Sequence, residues 1–349
     1  MFDSIHDETQ PETSITDSRR AFMKRIAAVA AATALTRPAD ALAQAIRQPV
    51  GPGSDSGPEL PKSWPIAKSR VTLIEDHRIL PVRVVQRALL KDYLDEGLRT
   101  LTGARSTADA WHEILKPDDV VLIKFNRSAA RAIGTTAAVA HTLVDSLVTA
   151  GWNPERLMLL EAGDGRPRVH QTMTPDYRWQ GEEVVFGRSG KDSFIAALDQ
   201  ATAIINVPFL KTHHQATMTG CLKNLSHGLI RHPARFHANG CDPAIGEISA
   251  SSPIRNKLKL NIVNGLRVVF NRGPEAAERD MAIAGVLLIG RDPVACDATG
   301  FGILNKIRSL RELGPLLPGA RVPRQLVTAS DLGLGRFDEE AIEVQRLGD

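Results

Sequence analysis

Short apolar runs alternate with stretches whose apolar residues fall at helical spacing, and this alternation constrains the fold more than any other feature of the chain. Val71 to Ile74, Asp119 to Lys124, Arg156 to Glu161, Thr202 to Val207, Leu258 to Val263 and Met281 to Ile289 read as buried strands, with Glu183 to Phe186 a further candidate. Between them, Val82 to Leu101 carries Val85, Leu89, Leu90, Leu94, Leu98 and Leu101 at helical spacing, and Gly103 suits its C-terminal cap. Thr135 to Ala150 reads as an amphipathic helix closed by Gly151, and Ser193 to Leu198 as a short one. Asp292 caps a helix that begins with Pro293 and runs to about Lys306. Strands alternating with helices predict an α/β fold, a mostly parallel sheet flanked by helices. Residues 210 to about 253 break the rhythm and are expected to form a loop-rich insertion covering the strand-end edge.

The N-terminus follows different rules. Ser18-Arg19-Arg20-Ala21-Phe22-Met23-Lys24 resembles the twin-arginine export signal. The apolar segment that follows, Ile26 to Leu35, is too short to span a bilayer, and Ala41-Leu42-Ala43 is a small-x-small cleavage site. Residues 1–43 are therefore expected to engage the twin-arginine export machinery and to be cleaved after Ala43, giving a periplasmic or otherwise exported protein with no membrane span. Residues 44–66 are expected to be a flexible linker, and 67–349 a single α/β domain.

Removing five basic and six acidic residues with the signal, from 43 and 40 in the whole chain, leaves 38 against 34. That balance, without basic-aromatic interleaving, argues against a nucleic-acid partner. The three cysteines, Cys221, Cys241 and Cys296, have no C-x-x-C spacing, which argues against an iron–sulfur cluster as cofactor. A Cys221–Cys241 disulfide and three buried thiols are both open, the second being the usual state of free cysteine.

Five of the ten histidines, His213, His214, His227, His232 and His237, fall in one stretch after the strand that ends at Val207-Pro208. Lys211 and Lys223 lie among them. Other strands also end in polar residues: Lys124 and Asn126, then Asp164, then Asn264. Parallel strands deliver such ends to one edge, where α/β proteins bind ligands. Lys124, Asn126, Asp164, Lys211, His213 and Asn264 are thus expected to converge.

These residues also carry a resemblance. Lys124-Phe125-Asn126, Asn206 to His213 (NVPFLKTH), Thr219 to Asn224 (TGCLKN) and Asp292 to Ala298 (DPVACDA) match, in order and spacing, motifs of domain of unknown function family 362. The agreement spans roughly Asp119 to Ile303. Phe125 replaces a usual Pro, Phe209 a usual Lys, and Asn264-Gly265 a usual Asp-Gly. Some relatives add a ferredoxin-like cluster domain whose cysteines this chain lacks. A looser likeness to the nickel-cofactor lactate racemase group implies proton or hydride transfer on a hydroxy acid.

Three functional readings follow. In the first, an exported enzyme binds a small anionic substrate with Lys124, Asn126, Asn224, Asn264 and Asp297. His213, His214, Lys211 and Lys223 then serve in catalysis, imidazole as acid/base. Asp297 is expected to face the site or to hold a lysine. In the second, a divalent metal is held by His213, His214 and His237, with Asp242 as a further ligand. In the third, the same groups bind a ligand or cofactor in the periplasm without turnover. His227 and His232 are expected to serve as a helix cap and in turn chemistry.

Overall fold

A computed structural model describes residues 68–163, 170–275, 277–319 and 321–348. The signal, the linker and Asp164 lie outside the described residues. Eleven strands are present among the described residues: β1 Ser69–Glu75, β2 Val121–Lys124, β3 Leu157–Leu160, β4 Val184–Phe186, β5 Gly190–Asp192, β6 Ala203–Asn206, β7 Phe209–His213, β8 Thr217–Thr219, β9 Leu258–Val269, β10 Met281–Gly290 and β11 Ile342–Leu347. Nine of them form one sheet in the order β11-β1-β10-β9-β6-β2-β3, with β7 pairing β8 and β9. The run β9-β6-β2-β3 is parallel, as are β1–β11 and β7–β9, whereas β10 is antiparallel to both its neighbours. The expected mostly parallel α/β sheet is therefore present. The hairpin β4–β5 stands apart from it.

The seven helices used below are α1 Arg87–Thr102, α2 Thr107–Ile114, α3 Thr136–Thr149, α4 Cys221–His227, α5 Ala244–Ser249, α6 Pro293–Ser309 and α7 Arg324–Asp331. Helices cover both faces, and the two-residue period of the strands sorts the core. Ile123, Ile205, Ile262 and Ile74 pack with Leu90, Leu94, Trp111 and Leu143 of α1–α3 on one face. Leu122 and Ile204 face the other way, against Leu225 of α4 and Ile248 of α5. Val71, Val263 and Leu288 meet Ala295 and Leu304 of α6. Gly103 ends α1 in the left-handed conformation (φ 77°), and Asp292 caps α6 by accepting from the amides of Val294 and Ala295.

Four local expectations need correction. Ser193 to Leu198 is not a helix; a single turn, Ala197–Gln200, forms instead. Leu258 to Val263 is only the first half of a twelve-residue strand, so Asn264 lies within β9 and not at a strand end. Pro208 interrupts rather than ends the edge, because β7 resumes at Phe209 and pairs with the second half of β9. Residues 210–219 thus contribute strands, and short helices follow from Cys221.

Candidate functional site

The register of the parallel strands sets the site. Lys124 pairs with Leu160 on one side and Asn206 on the other, so the chain leaves β2, β3 and β6 at the same level. Lys124 and Asn206 share the face of Leu122 and Ile204, and α4 crosses that face. Asn224 on α4 joins the ends. Its amide donates to Asn206 Oδ1 at 2.8 Å and to the Lys124 carbonyl at 3.3 Å. Its Oδ1 accepts from Lys124 Nζ at 3.3 Å and from Asn126 Nδ2 at 3.1 Å. Asn206 continues the network, donating to Asn261 Oδ1 at 2.9 Å. A buried network in which each member is partnered holds its geometry rigidly.

Three lysines enter this network. Lys124 is fully buried and donates to Glu161 Oε2 at 2.9 Å; burial lowers its pKa, and Glu161 opposes that shift. Lys211, 1% exposed, donates to Asn126 Oδ1 at 3.3 Å and to the Ser128 carbonyl at 2.8 Å. Both acceptors are neutral, and burial pulls its pKa down to about 7. Lys223 on α4 reaches His237 Nε2 at 3.3 Å and Cys241 Sγ at 3.6 Å, with its pKa pulled by burial to about 8. Among the described residues Glu161 is the one carboxylate in ion-pair range of these ammonium groups. Glu161 (φ 61°) and Ala129 (φ 63°) flank the site in left-handed conformations that non-glycine residues adopt at a cost.

Four of the five histidines gather beside the lysines. The His214 and His213 rings stack at 5.0 Å, His213 and His237 at 5.8 Å, and His227 meets His237 edge-on at 4.7 Å. His232 is elsewhere, with its ring on Asp192 at 2.9 Å. His213 Nδ1 accepts from the amides of Gln215 and Ala216, both at 3.2 Å, so the neutral ring carries its hydrogen on Nε2. Burial, followed by the charge of Lys223, pushes its pKa to about 3. His213 is thus a neutral donor at physiological pH, which corrects the expectation of an imidazole titrating near neutrality. His237 Nδ1 donates to the Pro233 carbonyl at 3.0 Å and leaves Nε2 to accept from Lys223. His227 is also held neutral, its pKa pushed to about 2 by burial.

Three expected site residues stand apart. Asn264 shares the face of Ile262, opposite to that of Lys124, and exchanges hydrogen bonds with Thr135 Oγ1 at 2.9 and 3.2 Å. Asp297, 1% exposed, accepts from the amides of Cys221 and, at 3.1 Å, Leu222. It anchors the start of α4 and so positions Lys223 and Asn224. Burial raises its pKa to about 7. A Cβ on Gly220 would come within 2.0 Å of Asp297 Oδ1, so only glycine admits this carboxylate. Asp242 is taken by Thr328 Oγ1 at 2.6 Å.

For a metal, the ligand atoms of His227, His237 and Cys241 lie within 4.8 Å of one another. This trio shares His237 with the set read from the sequence and brings in Cys241 and His227. The three cysteines are free and buried, so Cys221 and Cys241 form no disulfide. Sequence reasoning also missed Glu161. Its signal is the register of β2 on β3, which sets residue 161 just beyond Lys124. Among the described residues no helix is long and apolar enough to cross a membrane.

No curated protein matches the chain. Residues 169–302 match the model of the family described as Domain of unknown function (DUF362), which supports the family read from the motifs; the matched segment carries Lys211, Lys223, Asn224 and Asp297, and the Lys124-Phe125-Asn126 element precedes it.

Proposed function

We propose that the lysine cluster binds a small anion and that the chain is an exported enzyme acting on it, with Lys211 and Lys223 as the groups that exchange protons. One observation carries this reading. Three buried lysines have one carboxylate, Glu161, in ion-pair range, with Glu275 a second and more distant negative charge on Lys211; three ammonium groups against two carboxylates leave positive charge in a low-dielectric site where an anion is favoured. Thr219, opposite Lys211 in the β7–β8 pairing, adds a buried hydroxyl with no hydrogen-bond partner among the described residues. Lys211 and Lys223 titrate near neutrality, where a proton donor or acceptor works best. His213 contributes its Nε2–H as a donor. The Arg19-Arg20 motif and Ala41-Leu42-Ala43 support export, and N-terminal sequencing of the cell-envelope protein is expected to begin at Gln44.

Sulfate, which keeps its charge from pH 5 to 10, tests the anion site. The ammonium form of Lys211 is present below about pH 7 and lost above it, so affinity is expected to fall by about a hundredfold from pH 6 to 9. Absence of sulfate binding at pH 6, or binding independent of pH, overturns the reading. The spacing of His227, His237 and Cys241 favours a second reading, a divalent metal beside the lysines. Elemental analysis of the purified protein is then expected to give near one metal atom per chain, lost in Cys241→Ser. A metal-free protein with undiminished activity removes it.

A further inference from the structure

An open groove of about 540 Å³ is lined by Arg127, Ala129, Ala130, Arg131, Ala132 and Glu275. Both of its walls are fastened to the strand that carries Lys211. On one side Lys211 Nζ donates to Asn126 Oδ1 and to the Ser128 carbonyl, which fixes the loop holding Arg127. On the other, the amide of Gly273 donates to Thr212 Oγ1 at 2.9 Å and that of His214 to the Gly273 carbonyl at 3.1 Å, which fixes the loop leading to Glu275. The groove therefore adjoins the lysine cluster. Arg127 and Arg131 are exposed, and no hydrogen bond or ion pair engages either guanidinium among the described residues. Arg127 is bound through its backbone amide, which donates to Glu161 Oε2 at 3.1 Å, so its side chain is free to meet a ligand.

We propose that the ligand is a short dicarboxylate, for which succinate serves as the probe, with one carboxylate at Lys211 and the other in the groove against Arg127 and Arg131. This rests on the lysine cluster being an anion site. Guanidinium groups match carboxylates through two parallel N–H···O bonds, which a lone ammonium does not offer. Glu275 lines the groove and its charge also acts on Lys211, so it sits between the two cationic ends and opposes a ligand that is negative along its whole length. Two acidic groups separated by carbon fit the groove better than a polyphosphate chain.

The test compares acetate, succinate and sulfate by NMR titration at pH 6, with the parent protein and Arg127→Gln/Arg131→Gln. Both arginines are exposed, so the double variant is expected to fold normally, as unchanged thermal unfolding will show. Succinate is expected to bind the parent about tenfold tighter than acetate, and the double variant to within about twofold of acetate, with acetate and sulfate unchanged. A succinate preference that survives in the double variant overturns the inference, as does a parent that binds both equally. If sulfate binds but neither carboxylate does, this inference fails alone. If none of the three binds, the lysine reading fails and takes this inference with it.

Discussion

Replacing Lys211 with methionine is expected to make the protein more stable while abolishing anion binding. The native ammonium is 1% exposed and hydrogen-bonded to neutral oxygens, and its pKa falls from 10.5 to about 7. At about 1.4 kcal/mol per pKa unit, keeping that charge buried costs about 5 kcal/mol at pH 7 and below. Methionine has similar length and removes the charge, but it leaves Asn126 Oδ1 and the Ser128 carbonyl without this donor, at about 1 kcal/mol each. The net expectation is a gain of about 3 kcal/mol at pH 6. The sign of the pH dependence follows from a folded pKa below the unfolded one. Between pH 7 and 10.5 the unfolded chain holds a proton that the folded chain has released, so parent stability rises with pH. The advantage of the variant should therefore shrink to about zero by pH 9.5. Urea unfolding at pH 6 and 9.5 measures both quantities, and sulfate titration at pH 6 measures the loss of binding. A variant less stable than the parent at pH 6, or one whose advantage does not change with pH, refutes the claim that Lys211 is held charged at a cost for function.

Asp297→Ala leaves the buried amides of Cys221 and Leu222 without their acceptor and is expected to cost about 2–4 kcal/mol in urea unfolding at pH 4, where the carboxyl is neutral in the fold and little charge burial is relieved. Asp297→Asn should flatten the parent's stability between pH 4 and 7: the raised carboxyl pKa gives stability that is full below the unfolded value and is lost as pH rises through the folded value of about 7. Gly228→Ala would set a Cβ 2.5 Å from Lys124 Nζ and from the Asn224 carbonyl. It is expected to weaken sulfate binding at least about tenfold while the fold survives, as far-ultraviolet circular dichroism will report.

The alternation of apolar runs and helical stripes determined the α/β class and the main strands, because side-chain periods of 2 and 3.6 are written locally. It also placed Lys124, Asn126, Lys211 and His213 near strand ends and Lys223 among the histidines that follow, and the structure joins Lys124, Asn126 and Lys211 in one network, with His213 and Lys223 beside it. The sequence could not show that Asn264 lies within a strand and on the opposite face, because strand length and facing are set by pairing with β10 and β7. Nor could it show that Glu161 sits beside Lys124, since that follows from register between strands 33 residues apart at their nearest ends, Lys124 and Leu157. The roles of the ionisable groups were decided last. Imidazoles titrate near neutrality in water and lysines do not, but burial disfavours the charged form of both. Here it carries His213 down to about 3 and brings Lys211 down to about 7. Residue type was in the sequence; burial, which exchanged the roles of histidine and lysine, came only with the tertiary structure.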